Sequence, residues 1–191
     1  MKTNILCLLS LTWQSNAFIF GPSREQLKTE ILKLSSETKR GVVSTQEQDE
    51  KILNLFEQLE KKNPTKKPLR SGLVNGVWSL QYTTSASISG KNSKFDKVGP
   101  ILQTIDTENL YAENAEVVNY FGIKVPQKVT AELNPQSDQF TNVQFKRFSL
   151  GPISFDAPEK FKGSLDITYL DNELRLTRGD KGNIFVLTRF E

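Results

Sequence analysis

The stretch that most narrows what this chain can fold into is residues 165–189. Three short apolar runs there are separated by Asp171-Asn172 and by Asp180-Lys181-Gly182-Asn183. Asp, Asn and Gly tolerate the positive φ that tight reversals demand, so the stretch predicts a three-stranded antiparallel meander. Leu165, Ile167 and Tyr169 share one phase of the alternation, with Asp166 and Thr168 in the other. In the last run Ile184, Val186 and Thr188 oppose Phe185, Leu187 and Arg189, so both faces carry apolar groups. Such a strand must be covered on both sides, by a curled sheet, a helix or a partner.

Upstream of the meander the period-two pattern begins near Val74, with Trp78, Leu80 and Tyr82 alternating with Val77, Ser79 and Gln81. Further strands are predicted over 100–106, 109–120, 122–133 and 139–148, Pro126 marking an edge or bulge in the third. Residues 86–99 and 149–161, rich in Ser, Lys, Gly and Pro, are expected to be loops. About eight antiparallel strands closing on themselves make a small barrel, although the period alone does not separate a barrel from a sandwich.

Before the strands the period is helical. Ser23 with Gln26 and Thr45 with Gln48 are capping-box pairs. Leu27, Ile31 and Leu34 follow the first, and Ile52, Leu55, Phe56 and Leu59 follow the second. Gly41 stands where the first helix should stop. A helical hairpin is therefore expected, its apolar stripes packing on the body of the protein. Residues 61–70 (KKNPTKKPLR) carry five basic groups and two prolines, and read as a solvated connector with anionic lipid as an alternative contact.

Residues 1–17 have Lys2, an apolar core over 5–11 and small residues at Ser15-Asn16-Ala17, the form of a cleaved signal peptide; the apolar run is too short to span a bilayer. The expected organisation is thus a signal peptide over 1–17, a helical hairpin and basic linker over 18–69, and a β-barrel over 70–191.

Composition matters chiefly for what it removes. There is no His and one Cys, Cys7, so no Cys/His zinc site, no disulfide within the chain and no Ser-His or Cys-His nucleophile is available. A net charge of +3 is too balanced for a dedicated nucleic-acid binder. Asp166, Asp171, Glu173 and Asp180 lie close in sequence, but three of them sit in or beside predicted turns, where carboxylates are commonplace. No cofactor is expected, and the chain reads as a non-enzyme.

The run LDITYLDNELRLTRGDKGNIFVLTR resembles the C-terminal signature of the plastid lipid-associated protein family, the plastid fibrillins. Gly41, Asn63-Pro64, Asn75-Gly76-Val77-Trp78 and Tyr82-Thr83-Thr84-Ser85 are similar to the opening pattern of that family, and the likeness spans residues 27–189. Gly76-x-Trp78 also resembles the first strand of lipocalin-type barrels. That resemblance implies that Trp78 closes the floor under a basic side chain from near the last strand, Arg189 first and Arg178 second. Ala17-Phe18 resembles the junction of bipartite plastid presequences, which implies plastid import, with secretion as the alternative.

The expected fold is therefore mainly β: a lipocalin-like antiparallel barrel of about eight strands after a two-helix hairpin. One inward phase would be Trp78, Leu80, Tyr82, Val129, Ala131, Val143, Phe145, Ile167 and Tyr169, a wall for one small apolar ligand or a filled core. The resemblance implies lipids, carotenoids or prenylquinones as ligands and a thylakoid or plastoglobule surface as the place. The alternatives are a filled barrel that docks on a photosynthetic complex or a prenylquinone-pathway enzyme, and, more distantly, a barrel enzyme with a carboxylate or Tyr in its lumen.

Overall fold

The computed structural model describes residues 21–190, so the expected signal peptide over 1–17 lies outside the described residues. Two helices come first, α1 (Arg24–Glu37) and α2 (Gln46–Glu60). Both open on the reciprocal capping boxes that the sequence predicts, Ser23 with Gln26 and Thr45 with Gln48. Between them Lys39, Arg40 and Gly41 all take positive φ. At Gly41, with φ +91°, an added Cβ would stand 2.4 Å from the carbonyl oxygen of Thr83. Only glycine lets the interhelix turn press this closely on the sheet.

Nine strands follow: β1 (Gly76–Thr83), β2 (Asp96–Asp106), β3 (Tyr111–Tyr120), β4 (Ile123–Pro135), β5 (Phe140–Leu150), β6 (Ile153–Asp156), β7 (Lys162–Leu170), β8 (Leu174–Gly179) and β9 (Ile184–Arg189). A four-residue helix, α3 (Ala86–Ser89), lies between β1 and β2. All pairings are antiparallel, and β1–β2–β3–β4–β5–β7–β8–β9 returns to β1, closing an eight-stranded barrel. The ninth strand, β6, pairs with the outer end of β5 while β7 takes its first half. The two segments expected to be loops therefore hold α3, the start of β2 and β6. Their Ser, Gly and Pro content hid short elements with little alternation.

Register sorts the barrel's ends. Gly76 pairs with Ile105, and Arg189 with Trp78, so these ends share the floor. The β3–β4 and β5–β6 turns, α3 and the Asp180–Gly182 turn lie at the opposite end, the mouth. The connector over 61–70 is pinned beneath the floor rather than free. Asn63 Oδ1 accepts from the backbone N–H of Leu170, Thr65 donates to the Leu170 carbonyl, and Arg70 and Lys67 pair with Asp138. Short 3₁₀ turns at Pro68–Arg70 and Gly72–Val74 then bring Leu69 and Val74 into the inner core.

Two cores result. The inner one fills the base of the barrel with Trp78, Leu80, Ile105, Ala112, Leu133, Ile167 and Leu187 among others. The outer one packs Leu27, Ile31, Ile52, Phe56 and Leu59 of the helices on Tyr82, Tyr169, Leu174, Leu176, Ile184 and Val186. The two-faced last strand thus has a helix layer on one side and the lumen on the other. No helix among the described residues is long and apolar enough to cross a membrane.

Candidate functional site

Above the inner core the barrel stays hollow. A cavity of about 280 Å³ lies there, near the lower end of the ~300–1,000 Å³ of small-molecule sites. Leu80, Ile101, Ala112, Val129, Ala131, Val143, Phe145, Phe185 and Leu187 make its apolar wall. Ser85, which precedes α3, and Ser87 and Ile88 within it, with residues 163–165 and the turn around Asp180, frame the mouth. Gln103, Asn114 and Thr177 add polar groups deeper in, and Glu116 adds a carboxylate. Lys97 holds that carboxylate at 2.6 Å and also donates to the carbonyls of Ser87 and Ile88, so one ammonium fixes α3 against the wall.

Of the wall residues expected from sequence, Leu80, Val129, Ala131, Val143 and Phe145 line this cavity. Trp78 and Ile167 lie in the inner core without lining the void. Tyr82 and Tyr169 are corrections: both sit in the outer core, against the helices. The physical reason is the same twice. Register shifts between Leu80 and Tyr82 and between Ile167 and Tyr169 mark bulges, and one extra residue turns all later side chains to the other face. The Tyr82 hydroxyl accordingly donates to Asp49 of α2 at 2.6 Å, and that of Tyr169 to Asp171 at 2.6 Å. Burial and then the carboxylate partner push both phenols above their ordinary value.

At the floor the Trp78 indole is fully buried and donates to the Val74 carbonyl at 2.8 Å. The guanidinium of Arg189 lies 4.0 Å from the ring centroid, a cation–π contact. Its two terminal nitrogens donate to the carbonyls of Asn75 and Leu73, tying the last strand to the floor turn. Arg178 is not there. It points outward, makes a two-pronged pair with Glu60 at 2.8 and 2.7 Å, and covers Phe56 at 5.2 Å. The second guanidinium over the indole is Arg175, at 4.9 Å. It is wholly buried and donates through Nη2 to Gln103 Oε1, whose amide in turn donates to Asn114 at 2.9 Å.

Gln103, Asn114, Arg175 and Thr177 were not among the residues expected from sequence. A signal for two of them was present. If Leu174 and Leu176 face the helices, Arg175 and Thr177 between them must face inward. Gln103 and Asn114 carry no such mark, because polar residues on an inward phase read as a solvated face. Among the described residues no cluster of three Asp, Glu, His or Cys side chains is placed to hold a metal.

The PAP_fibrillin family model matches residues 25–188, from the first turn of α1 to the end of β9. A probable plastid-lipid-associated protein 5, chloroplastic, of Arabidopsis thaliana is 34% identical over 171 residues, which cover 88% of this chain and 71% of that protein. A chromoplast-specific carotenoid-associated protein of Cucumis sativus is 30% identical, covering 80% of this chain and 64% of that protein. A light-induced chloroplastic protein of Solanum tuberosum is 29% identical over 88% of this chain and 70% of its own length. No solved structure matches the chain. With both helices, the Trp78 floor and the closing meander all inside the matched span, the chain belongs to the PAP/fibrillin family of plastid lipid-associated proteins.

Proposed function

We propose that this protein carries a single apolar chain, the acyl or prenyl tail of a lipid, a prenylquinone or one end of a carotenoid, in the barrel lumen, and exchanges it with thylakoid or plastoglobule lipid at the mouth. The observation that carries this is the apolar cavity above the Trp78 floor. Burying a hydrocarbon chain there yields about 25 cal/mol per Å² of apolar area, and a void of this size accepts one chain rather than a whole bulky pigment. The relatives' names support the ligand class, and their chloroplastic and chromoplastic locations support a plastid setting.

The mouth supports a lipid surface as the place of exchange. Phe121, 92% exposed at the β3–β4 turn, and Ile123, Ile153, Phe155 and Phe161 are exposed on the segments at this end, which also carry the exposed Lys91, Lys94, Lys124, Lys160 and Lys181 and the exposed Asp96, Asp156, Glu159 and Asp180. Exposed apolar side chains among lysines suit a lipid headgroup layer, each lysine near an anionic surface contributing about 1 kcal/mol. The bound role is non-catalytic.

The test is displacement of a fluorescent acyl probe from the delipidated full chain, with an Ala131→Trp variant that fills the lumen and a Phe121→Ser variant that spares it. Saturable probe binding lost in the first and kept in the second is expected, with Phe121→Ser losing cosedimentation with vesicles of galactolipid and anionic lipid. Probe binding that survives Ala131→Trp places the ligand outside the barrel and overturns the reading. Vesicle binding indifferent to Phe121→Ser assigns the rim to a protein partner instead.

A further inference from the structure

Behind the base of the lumen lies a wholly buried charge, Arg175, that no carboxylate among the described residues meets. Among the described residues Lys28 has Asp171 and Glu173 and Lys97 has Glu116, while the half-buried Arg40 and Arg189 donate to backbone carbonyls. Arg175 has neither kind of partner. Its Nη2 reaches Gln103, but Nε and Nη1 are buried without an acceptor. Burial first and then the nearby Arg189 push its proton affinity below the ordinary value, yet a guanidinium keeps its charge at neutral pH. Thr177, 1% exposed and lining the cavity, also has a hydroxyl with no partner. Arg175 itself does not line the cavity; Gln103, to which it donates, does and stands between the two.

Withdrawing a charge from water costs several kcal/mol unless it is paired, and the great majority of buried polar groups are satisfied in native proteins. An unmatched guanidinium and an unmatched hydroxyl behind one apolar hollow thus define a ligand by what is missing: an anionic acceptor at the end of a hydrocarbon chain.

We propose that the lumen binds a long-chain monocarboxylate head-down, the carboxylate meeting Gln103 and Thr177 in front of the free N–H groups of Arg175, the chain rising past Leu80, Ala131 and Leu187 to the mouth. This rests on the reading that the lumen holds an apolar chain, and it adds the head group and the polarity of binding. A carboxylate fits the planar fork of a guanidinium and cancels its charge, whereas an alcohol or ester offers a neutral acceptor and leaves the charge in place. Trp78 and the buried Val74 close the other end, so the head enters first through the mouth.

Calorimetric titration of the delipidated full chain with palmitate and with hexadecanol, which share a chain length and differ in the head, decides it. Palmitate is expected to bind at least tenfold more tightly. Arg175→Met removes that preference, and Thr177→Val reduces it in part. The wild-type comparison and Thr177→Val stand even if Arg175→Met fails to fold. Equal affinity of the two ligands for the wild type overturns the head-group assignment and leaves the apolar-chain reading intact. Binding of neither overturns that reading and this inference with it.

Discussion

On their outer face β7, β8 and β9 present Tyr169, Leu174, Leu176, Ile184 and Val186 to the two helices; on their inner face the same strands present Ile167, Arg175, Thr177, Phe185 and Leu187 to the lumen. The outer layer is packed, and the buried polar groups at its centre are paired. Tyr82 meets Asp49, Tyr169 meets Asp171, Lys28 meets Asp171 and Glu173, and Arg178 meets Glu60. The inner side keeps an apolar void, and of the five unpartnered buried side-chain atoms among the described residues one, on Thr177, belongs to its wall, two, on Arg175, lie behind that wall, and the others are Arg40 Nε and Thr168 Oγ1. One sheet therefore separates two tasks. The helix-covered face holds the fold together, and the lumen face is left under-packed and under-satisfied, as a site awaiting a ligand must be.

The largest expected difference is in packing. Phe56 is fully buried at the centre of the outer layer, and Phe56→Ala should cost about 3–5 kcal/mol of unfolding free energy. Phe145 borders the existing void, so Phe145→Ala opens little new cavity and should cost about 1–2 kcal/mol. Urea unfolding midpoints with unchanged slopes measure both. Equal losses would mean that the lumen is packed as a second structural core.

The next difference is in acid sensitivity. Burial pushes the Asp171 carboxyl up, but the Tyr169 hydroxyl, the backbone N–H groups of Glu173 and Leu174, and Lys28 outweigh it, so its value sits below the ordinary 3.8. A depressed carboxyl contributes stability that is present above its unfolded value and lost as pH falls through the folded one. Lys28 is the mirror case: burial lowers its value, Glu173 and Asp171 outweigh that, and its share is lost only as pH rises through a value above 10.5. Asp171→Asn should therefore lower stability by about 2 kcal/mol at neutral pH and flatten the decline below pH 4. Thr177→Val, on the lumen face, should leave the shape of the pH–stability curve unchanged. Unfolding free energies from pH 2 to 8 compare the two.

What could be read from the sequence follows from how local each signal is. The two capping boxes, the interhelix Gly41 and the Asp/Asn/Gly turns of the meander are set by a few adjacent residues, and the structure has them. The bulges that send Tyr82 and Tyr169 outward are not local, since each exists only relative to the partner strand. An uninterrupted alternation carried both tyrosines to the wrong face. Arg178 was similarly separable from Arg175 only once β8 had a helix on one side. The polar base of the lumen was illegible for a different reason: Gln103 and Asn114 are half-buried and turned inward through cross-strand register, and their own neighbours say nothing of it.

The smallest expected effect tests the comparison most directly, because its sign is unusual. Arg175 is as buried as Phe56, and on burial alone its replacement should be severe. Yet its charge has no carboxylate partner, and its neighbour is a second cation, Arg189. An apolar side chain of similar length keeps part of the packing on Trp78, gives up the cation–π contact of roughly 0.5–2 kcal/mol, and recovers the desolvation of an unpaired guanidinium. The two terms oppose, so Arg175→Met in the ligand-free protein should change unfolding free energy by less than about 1 kcal/mol, or raise it. A paired buried charge behaves otherwise: Lys28→Met leaves Asp171 without its countercharge, though not without its hydrogen bonds, and should destabilise by about 2 kcal/mol. Thermal and urea unfolding of the two variants side by side read the contrast. A loss at Arg175 as large as at Lys28 would mean that the floor guanidinium is structural, held for the indole and not for a ligand.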